Sequence, residues 1–500
     1  MKSENTPKHS ALQIIAFIIG ILLTGQIFSV QAQSTTTAPE RGVSSNKSYS
    51  ISDIETMGLY SGNLMFNVPL GSLPAGRGGM SAGINLRYDS KIWDMFSFDI
   101  QRFTTIHDVH VLEDSAEGGW QYGYKYRLKL DYRKLGYEEG YCTSGNESSF
   151  SPYKLKLVMP DGSQHDLILA DQYYVGTDGY MKIFPDGRRA CSSGTDLTGT
   201  IVYYTTDNTF LRLELTSDYD SDWENNTWTL YSSDGTRVTH NPTSGVSQRI
   251  KDRNDNYIDV IENATDSNYS NHQTTYLQDQ LGRKVVIEYN GATNEDWIHS
   301  KGFDGANIKT KVKWKNITVN KLYFAGEMAP SPLDPDYYEN FPVNQTFRVV
   351  EKVFLPKQLG NTSDENDFAY GFEYNVNTTS AIDVGWGEVS RVDLPSGAYA
   401  TYDYKFDNVS GWNSSTQTGI HTEEVLYNRP VEKELHYNKE YDGSSTAETE
   451  TWTYSTTPNI LNGSSNLTAI IVTSPDGSTT KEYYAGADSV YTPPSIPEYI

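Results

Sequence analysis

Cysteine is almost absent from this chain of 500 residues: there are two, Cys142 and Cys191. A framework of many disulfides is excluded, and an apolar core must hold the fold; a chain of 56.1 kDa can supply one large core or about two to four smaller ones. Positive charge is also scarce. With 40 Lys and Arg against 64 Asp and Glu the formal net charge is −24. Phosphate backbones need clustered cations, so no nucleic-acid partner is expected, and the acidic surplus serves solubility. Runs rich in Leu, Ala, Glu and Lys are missing, and with them any useful helical periodicity after residue 32. G-x-S-x-G, H-E-x-x-H and a Gly-rich phosphate loop are missing too, so no familiar catalytic motif can be named and no cofactor is called for. Carboxylates gathered from distant strands would still make a hydrolase, and this reading stays open beside the others.

Beyond the N-terminus no segment is apolar enough to cross a membrane. Lys2 and Lys8 precede an uncharged run, Ala11 to Val30, followed by Val30-Gln31-Ala32 with small residues at −3 and −1. The pattern predicts a secretory signal peptide cleaved after Ala32; an uncleaved anchor helix is the alternative, because the run is nearly long enough to span a bilayer. Secretion or display at the cell surface follows, with the membrane met only through this segment. In an oxidising compartment Cys142 and Cys191 are expected to form one disulfide, closing a long loop and stabilising it by a few kcal/mol. A reactive thiol is the rival reading.

What is plentiful is Tyr, Thr, Ser, Asn and Gly, with 37 Tyr alone, a mix that favours strands and turns. The clearest unit is Glu388 to Phe406. Ala398, Ala400, Tyr402, Tyr404 and Phe406 share one parity, Thr401, Asp403 and Lys405 take the other, and Pro395-Ser396-Gly397 makes the corner, which together describe a hairpin with one apolar face. Pro presets φ, Asp or Ser bonds its own backbone, and Gly accepts a positive φ. The corner recurs at Pro160-Asp161-Gly162, Pro185-Asp186-Gly187, Ser233-Asp234-Gly235 and Pro475-Asp476-Gly477, with a relative at Leu281-Gly282-Arg283. Strands are predicted at Leu64–Leu70, around Ile84–Asp89, and over Gln121–Tyr132. In the last, Tyr122, Tyr124, Tyr126, Leu128 and Leu130 oppose Lys125, Arg127 and Lys129. Irregular corner spacing excludes a fixed-period solenoid. The expected fold is all-β, a succession of antiparallel hairpins, with residues 1–32 as signal peptide, 33–56 as a polar lead-in, 57–290 as an N-terminal β-rich region and 291–500 as a hairpin-repeat region.

Taken in order, these segments resemble the N-terminal region of secreted RHS (YD-repeat) proteins. GLYSGNLMFNVPLGSLPAGRGGMSAGINLRYDS resembles their opening strands, DQLGRKVVIEYN their D-x-x-G-R unit, and GEVSRVDLPSGAYATYDY their repeated hairpin; TSPDGSTTKEYY looks like one more. The resemblance implies a curved, spiralling β-sheet, part of a shell that encloses a C-terminal effector or toxin, or that presents adhesive modules. The family's C-terminal core motif, D-P-x-G with its autoproteolytic aspartates, does not occur before Ile500. By that comparison the chain is either the front of a longer product or a toxin-free member.

Candidate sites are few. His107 and His110 lie three apart, which in a strand puts them on opposite faces and speaks against a shared metal. Asp218, Asp220, Asp222 and Glu224 alternate in a stretch that a loop could gather around Ca²⁺, although acidic runs are usually solvated and no turn glycine is present. Asp252 to Asn256 reads as an Asx-rich turn. Trp223, Trp228, Trp314, Trp386 and Trp412 either stack on glycans or line the inner face of the sheet. The expectation is a secreted structural protein with no catalytic, cofactor or metal residues of its own. The alternative is a secreted module binding polysaccharide or a cell surface.

Overall fold

A computed structural model describes residues 48–50, 54–58, 62–99, 106–112, 117–131, 149–150, 154–169, 172–176, 179–183, 189–190, 199–205, 207–217, 227–302, 305–319, 345–356, 368–376, 385–407, 427–441, 444–456 and 467–485. The described residues hold no α-helix; only the short 3-10 turns Arg77–Gly79 and Ser267–Tyr269 interrupt the strands. The chain is all-β, as its composition predicts.

The corners form for the local reasons given above. Gly162, Gly235, Gly282, Gly397 and Gly477 all sit at positive φ, between 75° and 94°, where only glycine escapes a Cβ clash. At four of them an Asp carboxylate accepts the N–H two residues on: Asp161 from Ser163, Asp234 from Thr236, Asp279 from Leu281 and Asp476 from Ser478. The Pro185-Asp186-Gly187 corner lies outside the described residues.

Joined corner to corner, the strands make one sheet of 21, every neighbouring pair antiparallel. It starts at Arg127–Asp131, passes Lys154–Val158 and Gln164–Leu169, and from Gly199–Thr205 follows chain order to Thr479–Ala485. Among the described residues the first strand pairs only with Lys154–Val158 and the last only with Leu467–Thr473, so the sheet is open, with two edges. A four-stranded sheet takes Gln172–Gly176, Gly179–Ile183 and Arg189–Ala190 from between the third and fourth of these strands and Ser149–Phe150 from between the first and second.

A second layer comes from the N-terminus. Ser48–Ser50, Glu55–Gly58, Leu64–Ser72, Gly83–Asp89 and Trp120–Gly123 form a five-stranded sheet, so pairing begins inside the polar lead-in. Its buried side chains, among them Leu64, Phe66, Val68, Leu86, Tyr88 and Trp120, share one core with residues of the long sheet from Ile258 to Val472. A second core, around Leu157, Leu213 and Trp228, lies on the earliest strands of the long sheet.

The strand expected over Gln121–Tyr132 is two strands in different sheets. Trp120–Gly123 closes the inner sheet, the chain bends at Tyr124 and Lys125, and Arg127–Asp131 opens the long one. The tyrosines do face a buried surface, but they cross the long sheet instead of running within it. Trp120 meets Phe372, Tyr122 meets Trp314 and Tyr289, Tyr124 reaches Glu262, and the backbone of Tyr126 exchanges hydrogen bonds with the Gln248 side chain. From Ala369–Tyr374 back to Gln248–Lys251 is seven strand steps, roughly 34 Å of sheet, whereas the six residues from Trp120 to Tyr126 span about 20 Å. Curvature closes the difference, and the concave face is turned toward the inner sheet.

Gly118 and Gly119 make the turn into this crossing at φ 56° and 86°. A Cβ on Gly119 would stand 2.2 Å from the Asp89 carbonyl oxygen and 2.7 Å from Ile92 Cγ2. Gly119→Ala therefore combines a left-handed alanine with overpacking and should lower stability by about 2–4 kcal/mol. A urea midpoint equal to the wild type's would show that the turn can relax.

Candidate functional site

The groups with unusual chemistry lie where the inner sheet meets the long one. Glu55, in the second inner strand, meets Lys433, in the long strand Tyr427–Tyr441: Lys433 Nζ donates to Glu55 Oε2 at 2.5 Å, and both residues are buried. The Lys433 ammonium also lies 4.9 Å from the centre of the Trp452 ring. Glu55 Oε1 has no hydrogen-bond partner. Burial pushes the Glu55 carboxyl above its ordinary value, and the attraction of Lys433 only partly offsets this. The pair borders a cavity of about 80 Å³ lined by Ile54, Phe66, Val392, Ala400, Tyr402 and Trp452. That volume suits several waters.

A second polar centre is Asp296. Tyr122 Oη and Trp314 Nε1 each donate to Asp296 Oδ2 at 2.8 Å, and Arg348, whose guanidinium covers the Trp314 ring at 4.2 Å, approaches to 3.6 Å. Burial raises the Asp296 carboxyl, and Arg348 with the two donors draws it back. Arg348 Nη1 also reaches Glu117 in the crossing segment at 3.2 Å. Tyrosine hydroxyls complete the seam. Val389 N–H donates to Tyr88 Oη at 2.9 Å, and Tyr404 Oη donates to the Val389 carbonyl at 2.8 Å. Burial carries Tyr88, Tyr122, Tyr374, Tyr402 and Tyr404 well above the ordinary phenol value, so all stay neutral donors or acceptors. This arrangement orients and latches two sheets; it aligns no nucleophile, base and open cleft.

No family model matches the chain, and no curated protein matches it in sequence. The likeness to RHS proteins rests on the motifs themselves. Among solved structures, the chain is similar to the N-terminal domain of the effector protein SpvB from Salmonella typhimurium strain LT2, with 12% identity over 84% of this chain and 98% of that one and a TM-score of 0.18. A score so low carries no argument about this protein, and the fold stands on its own strand pairings.

The residues singled out from sequence fall into three groups. Cys142, Cys191, Asp218, Asp220, Asp222, Glu224, Trp223 and Trp412 lie outside the described residues. Trp228, Trp314 and Trp386 are each 2% exposed, which places them on inner faces and takes them away from any glycan. His107 and His110 lie in the strand Ile106–Leu112, opposite Phe98 and Met95. Among the described residues no group of three His, Cys, Asp or Glu could hold a metal ion. Glu55 and Lys433 carry no sequence signal. One is an acid in a polar lead-in and the other a lysine in a charged strand, and only tertiary pairing joins them.

Proposed function

We propose that the chain is a secreted structural protein, an RHS-like β-framework that wraps around its own N-terminal sheet and encloses or displays an effector or surface-interacting segment attached at its C-terminal side. The observation that carries this reading is the single open sheet curved over an inner layer, with one continuous core between them. The ordered corner motifs and the signal-like N-terminus support it. An outward-facing glycan site is less favoured, because three of the five tryptophans that would build one are interior.

The test is the native product, followed with an antibody raised against residues 33–500 in secreted, surface and cytoplasmic fractions. The expected result is a product outside the cytoplasm that begins at Gln33, with any polypeptide beyond Ile500 resisting protease until the sheet is unfolded. A cytoplasmic protein retaining Met1 would overturn the secreted reading. An attached segment digested as fast as a free peptide would overturn enclosure.

A further inference from the structure

One cluster lies apart from the Glu55 and Asp296 centres. Ser163, His165 and Asp207 are joined in a line: Ser163 Oγ lies 3.0 Å from His165 Nε2, and His165 Nδ1 is hydrogen-bonded to Asp207 Oδ2. The fold explains why they meet. Ser163 and His165 stand two apart at the start of the strand Gln164–Leu169, on one face. That strand pairs with Gly199–Thr205 in a register that sets Leu169 against Tyr203 and Leu167 against Thr205; two residues further on, position 165 faces position 207. Asp207 is in turn held by Thr209, whose hydroxyl donates to Asp207 Oδ1 at 2.6 Å. Burial alone would raise the Asp207 carboxyl, but the bonds from Thr209 and His165 outweigh it and hold it below the ordinary value.

Three further features surround this line. Arg87 is 8% exposed, its Nε has no hydrogen-bond partner, and its Nη1 packs against Gly162, where a Cβ would come within 2.5 Å. A guanidinium with an unused donor thus lies beside the Gly162-Ser163 peptide. Phe210, three residues after Asp207, is 74% exposed. Phe210 also takes φ 55°, a conformation costly for a bulky side chain.

A turn serine needs none of this. The Ser163 hydroxyl donates to Asp161 Oδ1 at 2.7 Å, and the equivalent corners Asp234-Gly235-Thr236 and Asp476-Gly477-Ser478 show the same turn, with Asp taking the N–H of Thr236 or Ser478. Two residues beyond those corners stand Val238 and Thr480. Only the Asp161 corner, among these three, adds an imidazole and a second carboxylate.

The geometry points to Ser163, His165 and Asp207 as a nucleophile, base and orienting acid for acyl transfer from an ester. Such a triad is recognised by geometry and roles and not by fold or chain order. Once the Ser163 hydroxyl turns its proton from Asp161 Oδ1 to His165 Nε2, the His165 ring, with its one proton on Nδ1 toward Asp207, takes that proton as Oγ bonds to the carbonyl carbon. The carbonyl π pair moves to oxygen, which the Arg87 guanidinium stabilises. On collapse the C–O bond to the alcohol breaks, the alcohol leaves with the proton from Nε2, and acyl-Ser163 remains. Water, deprotonated by the same ring, then releases the carboxylic acid and restores the serine. The net change is ester plus water to acid plus alcohol. This site adds chemistry to a framework from which none was expected.

The test uses the full chain with an alkyl phosphonofluoridate probe and p-nitrophenyl butyrate. One adduct per chain, mapped by mass spectrometry to the peptide containing Ser163, is the expected result. Ser163→Ala should lose the adduct. Asp207→Asn should slow both labelling and ester turnover by roughly 10⁴-fold, the cost of a mis-set imidazole. Thr236→Ala, at the equivalent corner, should change neither. Absence of an adduct on the wild-type chain overturns the proposal without recourse to any variant. So does labelling of Ser163→Ala at the wild-type rate. Circular dichroism melts of each variant separate lost chemistry from lost folding.

Discussion

Lys433→Met is expected to lower the unfolding free energy by about 3–5 kcal/mol near neutral pH, because removing one partner of a buried pair strands the other as an uncompensated charge. Glu55 and Lys433 are 4% and 3% exposed, and Glu55 Oε1 already lacks a partner. The pH dependence follows from the direction of the Glu55 shift. A carboxyl raised on folding means that the folded chain holds a proton the unfolded chain has released. Its contribution is fully present below the unfolded value, 4.5, and is lost as pH rises through the folded value. Without the opposing attraction of Lys433 the folded value climbs further. The variant should therefore regain stability more steeply than the wild type as pH falls from about 7 to about 5. Glu55→Leu combined with Lys433→Met should recover most of the loss, since apolar replacement of both partners is often neutral. Urea titrations at the two pH values decide the matter: a single variant within about 1 kcal/mol of the wild type would mean that Glu55 finds water through the adjoining cavity.

Trp120→Ala should cost a similar amount, about 3–5 kcal/mol, through lost burial and the cavity it leaves. Trp120 is 1% exposed, its ring centre lies 4.7 Å from that of Phe372 and 5.0 Å from that of Tyr88, and its indole N–H donates to Tyr374 Oη at 2.8 Å. Tyr374 passes the bond on to the Val350 carbonyl at 2.5 Å. Tyr374→Phe removes the acceptor but little volume, so it isolates the polar part, about 1–3 kcal/mol for a buried donor left unsatisfied. Because the two residues share one bond, the double variant should lose less than the sum of the singles. Additive losses would show that the indole N–H finds another acceptor.

The local half of this structure was legible. Corner glycines and their Asp or Ser partners act within five residues, and the parity of Ala400, Tyr402 and Tyr404 maps directly onto the buried face of Tyr399–Asp407. Period-two patterning, however, reports burial and not sheet membership. Tyr122, Tyr124 and Tyr126 alternate as a strand should, yet they belong to a chain crossing another sheet. The seam was illegible for a related reason: Glu55 and Lys433 stand 378 residues apart, and neither belongs to a pattern. The line from Ser163 to Asp207 was half visible. Ser163 and His165 are near neighbours, but Asp207 arrives through a strand register that skips three strands of the four-stranded sheet.

The order of the layers follows the order of the chain. The inner sheet comes from the beginning of the chain and the strands that cover it come later, out to Val472. Contacts of such long sequence separation close slowly when the whole chain must search at once. A chain delivered from its N-terminus would shorten that search if the rod forms before the scroll is wound upon it. Each new hairpin then needs only two guides, the strand just laid down and the rod beneath it. A circular permutant that moved residues 48–131 to the far end would keep every contact and would have to wind an empty scroll.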